Sequence, residues 1–198
     1  MSVKIVFIRH CMTDWNKQRR YLGCKDINLN RLGEIQALRL RRRLKHFMFD
    51  RIYSSDRKRC LQTARIIFDG AKVIKTKDLR EINFGAIEGL RHPEIIKRYG
   101  AIYKNWLINP FKNHIPGVET LPAFRKRVRL FLRKIVSINQ DKTVAIVCHA
   151  GTIGVFISGL LRDKDFWRCV PSPGSITIVE YDKGKYKIKL FADARHLK

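Results

Sequence analysis

Two segments of the chain are apolar almost without interruption, VKIVFI at 3–8 and TVAIVC at 143–148. A strand covered on one face alternates apolar and polar residues, so unbroken runs predict strands buried on both faces. RIYSS at 51–55 and KVIKT at 72–76 read as further strands, and SITIVEYDKGKYKIKLF reads as a closing hairpin turned at Asp182 to Gly184. Elsewhere the apolar spacing becomes helical, predicting helices over about 31–46, 57–68, 93–107 and 121–137, with one more after Gly151. In the fourth, Phe124, Val128, Phe131, Leu132 and Ile135 share a face, Thr120 stands as N-cap and Pro122 suits the first turn. Strands alternating with helices predict a three-layer α/β/α architecture on a largely parallel sheet. No repeat, linker or low-complexity tract divides it, so one domain over 1–198 is expected.

That architecture already places candidate chemistry. Ligands of such sheets sit beyond the carboxyl ends of the strands. His10 and His149 each follow a buried strand, so residues far apart in sequence are expected on one edge. Arg9 precedes the first of them, and a guanidinium is a permanently charged fork of donors suited to phosphate or carboxylate. A metal cation is unwelcome beside it, which ranks an anion site above a His10/His149 metal site. His46, His92, His114 and His196 have no comparable context.

Charge complicates the picture. The chain carries 42 Lys and Arg against 17 Asp and Glu, a formal net charge of +25, in runs such as KQRR, RLRRRLK, RKRC, FRKRVRLFLRK and KGKYKIK. Such a surplus attracts anions, among them nucleic acid, membrane surfaces and phosphorylated substrates. Its spread along the chain fits solvated helix faces better than a nucleic-acid module, and no such motif is present. From Thr143 to Leu161 no charge occurs, a length that could span a bilayer. His149 to Thr152 interrupt it and TVAIVC is β-branched, so a buried strand, a turn and a buried helix are expected instead, without membrane insertion. Five cysteines without a CxxC pair, and no charged-then-apolar leader before the first strand, lead to the expectation of a reducing, cytoplasmic setting.

Cys11 raises a rival chemistry. Cysteine phosphatases carry His-Cys, five residues and Arg in a loop that wraps phosphate with backbone N–H groups. Here the sixth residue after Cys11 is Lys17, and no glycine lies between Met12 and Asn16. The match fails on both counts.

RHCMTDWN at 9–16 resembles the Arg-His-Gly-x-Thr-x-x-Asn signature of the histidine phosphatase superfamily, which includes the cofactor-dependent phosphoglycerate mutases and many small phosphatases. YLGCKDINLNRLGEIQA at 21–37, IYSSDRKRCLQTA at 52–64, LREINFGAIEG at 79–89 and VCHAGT at 147–152 follow in the family's order. The resemblance implies a phosphoglycerate mutase-like fold, no cofactor and no metal. It also implies that His10 takes the phosphoryl group while Arg9, Arg59 and His149 hold its oxygens and Asn16 orients the pocket. Glu81 is the implied proton donor to the leaving oxygen. Thr13, Gly23 and Gly151 are weaker candidates for substrate binding. Cys11 and Ala150 depart from the pattern, standing where glycine is usual. Each is expected to bring a Cβ near the phosphate, and Arg9 and Arg59 are expected to favour a peroxide-sensitive Cys11 thiolate.

The chemistry is self-consistent, since a histidine nucleophile attacks unprotonated and two arginines can offset charge on a transferring phosphoryl group without a metal. Mutases of the family are usually longer, which favours hydrolysis of a small anionic phosphorylated substrate. PGVETLPAFRKRV, PSPGSITIVEY and the final RHLK are similar to α-ribazole phosphatase, which removes a 5′-phosphate in cobalamin assembly. A mutase and a sugar-bisphosphate phosphatase remain alternatives. An inactive fold that binds polyanions, including nucleic acid, through its basic surface is the non-enzyme alternative.

Overall fold

The two unbroken apolar runs become β1 (Ser2–Arg9) and β4 (Lys142–Cys148), which pair in parallel at the middle of a six-stranded sheet. The computed structural model describes residues 2–162 and 165–198. β2 (Arg51–Ser55) and β3 (Val73–Thr76) extend the sheet in parallel beyond β4. The hairpin β5 (Ile176–Asp182) and β6 (Lys185–Asp193) closes the other side, with β5 antiparallel to β1, giving the order β3-β2-β4-β1-β5-β6. The hairpin turns where expected. Lys183 and Gly184 both have positive φ, 45° and 82°, as a two-residue turn matched to strand twist requires.

β1 lacks polar alternation because both of its faces are covered. Val3, Ile5 and Phe7 join a core with α5 (Leu121–Ile138) and α6 (Ala150–Leu161), whereas Val6 and Ile8 join another with α2 (Arg31–Leu44) and α3 (Lys58–Ile67). α5 follows its apolar spacing: Phe124, Val128, Phe131, Leu132 and Ile135 are buried, and the Ala123 amide donates to the Thr120 hydroxyl at 3.4 Å. Each such buried side chain contributes about 1.5–3 kcal/mol, so this stripe anchors the helix far more strongly than its cap does. The uncharged stretch 143–161 folds as β4, the His149 connection and α6. Among the described residues no helix is long and apolar enough to cross a membrane.

Two features escape the pattern. α1 (Asp14–Lys17) is too short to show a period and forms through a reciprocal cap in which Thr13 and Asn16 bond each other's backbone and side chain. α4 (His92–Ile108) is broken at Gly100, whose φ of 46° leaves the helical region.

Candidate active site

His10 is the first residue past β1, and its amide donates to the Cys148 carbonyl at the end of β4 (2.9 Å). His149 follows β4 as the N-cap residue of α6. The two imidazoles meet edge to face, with centroids 5.3 Å apart. The shared edge expected from the strand runs is therefore present.

The His10 ring is nearly dry. Its Nδ1 lies 2.8 Å from the Cys11 carbonyl, and a carbonyl only accepts, so Nδ1 carries the proton and Nε2 keeps its lone pair. Burial, then Arg59 and Arg9, push its pKa well below the ordinary 6.5. His149 is lowered in the same way, by burial, Arg59, His10 and Arg9. Arg59 Nε donates to His149 Nδ1 (3.3 Å), which leaves the proton on Nε2, 2.9 Å from the Ser55 hydroxyl. The Cys60 thiol lies 3.5 Å from that same nitrogen.

Arg59 reads in sequence as one more member of the basic run RKRC, yet it is fully buried. Its Nη1 and Nη2 donate to the Lys25 and Gly23 carbonyls (2.9 and 2.8 Å), and burial lowers its pKa. Three of its five donors are thus spent on holding the fork in place. Arg9 donates to the Pro171 carbonyl, while its Nε is buried without a partner among the described residues. Desolvation brings Arg9 down to about 10, so it remains charged near neutrality. A buried unpaired N–H beside a nucleophile is what an incoming oxyanion would satisfy.

Glu81 stands behind Gly151. Its carboxylate accepts from the Gly151 amide at 2.9 Å and from the Ile82 amide at 3.0 Å. Burial outweighs these bonds and the nearby arginines and raises its pKa above the ordinary value. It does not pair with Arg80, which binds Asp56. A Cβ at position 151 would collide with Glu81 Oε1, and one at 23 with the Ile82 carbonyl, so both glycines are needed for close backbone approach.

The remaining expected residues divide. Asn16 lines the cavity, with its Oδ1 taken up by the Thr13 amide and hydroxyl. Thr13 is buried in that cap and away from the cavity wall. The Gly23 amide donates to Glu88 (3.1 Å), so neither Gly23 nor Gly151 offers a free amide to substrate. Ala150 lines the cavity as expected. Cys11 corrects the sequence reading. Its side chain joins the core with Val6, Ile8, Leu29, Ala37 and Leu40, and burial pushes its thiol up to about 12, so no thiolate is favoured.

Arg9, His10, Glu81 and Gly151 line a cavity of ≈ 400 Å³, whereas the fully buried Arg59 and His149 are not among its lining residues. Its walls are Tyr21, Leu22, Phe84, Trp106, Phe166 and Trp167, with Arg19 and Arg20 also lining it. Sequence reasoning missed these aromatic walls and Ser55. Ser55 ends β2, so the strand-end rule that located the two histidines would have located it too. Trp106 on α4 and Trp167 in a short 3-10 turn meet at a centroid distance of 5.1 Å, a contact that no local pattern announces.

Known proteins share the family and the fold of this chain. The profile of the histidine phosphatase superfamily (branch 1) matches residues 5–194. Phosphoserine phosphatase 1 of Hydrogenobacter thermophilus is 32% identical over 185 residues, covering 91% of this chain and 88% of that protein. Among solved structures, YhfR of Bacillus stearothermophilus superposes with a TM-score of 0.93 at 27% identity, covering 99% of this chain and 100% of that one. The α-ribazole phosphatase of Shigella flexneri shares the fold, with a TM-score of 0.87 at 22% identity over 96% of each chain. The family match and the phosphatase relatives agree with the histidine edge, and the chain belongs to the histidine phosphatase superfamily, in the enzyme class of phosphomonoester hydrolases.

Proposed function

We propose that this histidine phosphatase hydrolyses small phosphomonoesters, without a metal, through a phosphoenzyme formed at His10. One observation carries the reading: in one buried site, His10 is shifted toward its neutral form and Glu81 toward its protonated form. These are the opposite protonation states that a nucleophile and a general acid need. His10 Nε2 attacks phosphorus and the ester bond breaks, with Glu81 giving its proton to the departing oxygen. Glu81, now a carboxylate, takes a proton from the water that attacks the phosphohistidine, which releases phosphate and restores both groups. Arg9 and Arg59 offset charge on the equatorial oxygens of a loose transition state, the task a metal performs elsewhere. His149 holds the Arg59 fork, and Ser55 holds His149.

The cavity walls favour a substrate whose body is flat and apolar. A phosphoserine body would set its ammonium against Trp106, Phe84 and Trp167, with Glu81 as the one acidic side chain among the described lining residues, while Arg19 and Arg20 would meet its carboxylate. An aromatic body such as that of α-ribazole 5′-phosphate fits these walls better.

The test is phosphate release from naphthyl phosphate, α-ribazole 5′-phosphate, phosphoserine and 3-phosphoglycerate with a chelator present. The expected result is turnover by wild type and by Cys11→Ser, none by His10→Ala, and higher kcat/KM for the aromatic esters. Activity that persists in His10→Ala, or that vanishes in Cys11→Ser with the fold intact, overturns the mechanism. A preference for phosphoserine overturns the substrate reading alone.

A further inference from the structure

The phosphatase chemistry leaves the basic run on α2 without a task. α2 carries five arginines and one acid, Glu34, within fourteen residues. Its buried side is formed by Gly33, Gln36, Ala37, Leu40 and Leu44. A soluble helix would be polar on the opposite side. Here that side carries Ile35 and Leu38, 39% and 49% exposed, with Arg31 and Arg42 beside them, and Leu32 at its flank is 47% exposed. Four residues beyond the end of the helix Met48 is 85% exposed, between Phe47 and Phe49, whose rings stack at 5.8 Å, with Phe49 packing edge to face on Phe68. Single exposed apolar residues are ordinary, whereas three along one helix, with an exposed methionine in the segment that follows it, ask for a cover.

We propose that the outer face of α2 and Met48 form a peripheral docking surface for an anionic lipid bilayer. Charge and apolar exposure together select this partner. A second copy of the chain, meeting face to face, would set Arg31 and Arg42 against themselves on a molecule of net charge +25. Nucleic acid would use the arginines and gain nothing from Ile35, Leu38 or Met48. An anionic membrane surface uses both, drawing Arg31, Arg42 and Lys45 to its head groups and taking the apolar side chains into the interface. No spanning segment is involved. The cavity is walled by Tyr21, Phe84 and Trp106, by Ala150 and Gly151 at the start of α6, and by residues 166–173, rather than by α2. Docking therefore leaves the active site open to soluble esters.

Vesicle co-sedimentation tests the surface at about 0.15 M salt, where long-range attraction by the rest of the basic surface is largely screened. Wild type is expected to bind vesicles of phosphatidylcholine containing about one third phosphatidylglycerol and not phosphatidylcholine alone. The triple variant Ile35→Ser, Leu38→Ser, Met48→Ser keeps every charge and is expected to bind at least about tenfold more weakly, with aryl phosphate hydrolysis unchanged. The double variant Arg31→Gln, Arg42→Gln, which keeps the apolar side chains, is expected to lose binding as well and serves if the triple variant fails to fold. Absence of wild-type binding overturns the proposal. So does equal binding by wild type and triple variant, the result of general polycation adhesion, or a wild-type dimer in sedimentation velocity that the triple variant abolishes.

Discussion

Arg59 and Arg41 are the same residue in opposite surroundings. Arg59 is fully buried, bonded to two carbonyls and a histidine. Arg41 lies on the surface of α2, half exposed, with Asp69 at 3.2 Å. In a dry pocket a guanidinium acts on its neighbours at low effective dielectric, lowering His10 and His149. In water the same charge is screened, and its pair contributes about 0–1 kcal/mol. The net charge of the chain therefore says little about catalysis. Burial selects the few cations that matter.

Four experiments press on this contrast. The largest effect is expected at Arg59→Gln, which removes the charge and frees the Gly23 and Lys25 carbonyls: kcat/KM should fall by about 10³-fold or more. A fall below about tenfold would mean that Arg59 is structural. Next is Gly151→Ala, whose methyl displaces Glu81 without altering any charge. Its kcat should drop about 10²-fold, less for a nitrophenyl ester, whose leaving group needs little protonation.

The pH profile follows. On the proposed mechanism activity requires neutral His10 and rises with pH through a pKa below the ordinary 6.5. It also requires protonated Glu81, so it declines as pH passes a carboxyl pKa above the ordinary 4.5. Assayed on an alkyl ester, Glu81→Gln should remove the falling limb together with most of the rate; a falling limb that survives would assign it to another group. Smallest is Arg41→Gln, with kcat unchanged and stability within about 1 kcal/mol by urea denaturation. A larger loss there would erase the distinction between dry and wet arginines.

The fold was readable where burial leaves a local trace. β1 and β4 are covered on both faces, so their apolar runs could not be mistaken for loops, and α5 announces itself through five apolar residues on one face. The histidine edge followed from strand ends alone. The environment of single side chains was not readable, because it is set by segments distant in sequence. Cys11 sits beside Arg9 in the chain, yet its thiol points into the layer beneath α2, where burial governs its proton. Arg59 lies within RKRC, and only the packing of residues 23–25 over it reveals a buried cation. Thr13 carries the family's threonine, but the short helix it caps uses its hydroxyl.

Glu81 contacting the Gly151 amide, with no room for a methyl between them, has a consequence for how such an enzyme can diversify. The phosphate end is locked, since variation at Gly23 or Gly151 displaces the neighbouring chain. The far wall is assembled from α4 and the 3-10 turn at Phe166–Cys169, which meet through the Trp106–Trp167 ring contact and one bond from the Trp167 indole to the Leu107 carbonyl. Exchanging Trp106 or Trp167 for another large apolar residue would reshape the body of the acceptable ester and leave the reacting end untouched. Lineages carrying this fold can therefore drift in what they dephosphorylate while remaining constant in how they do it.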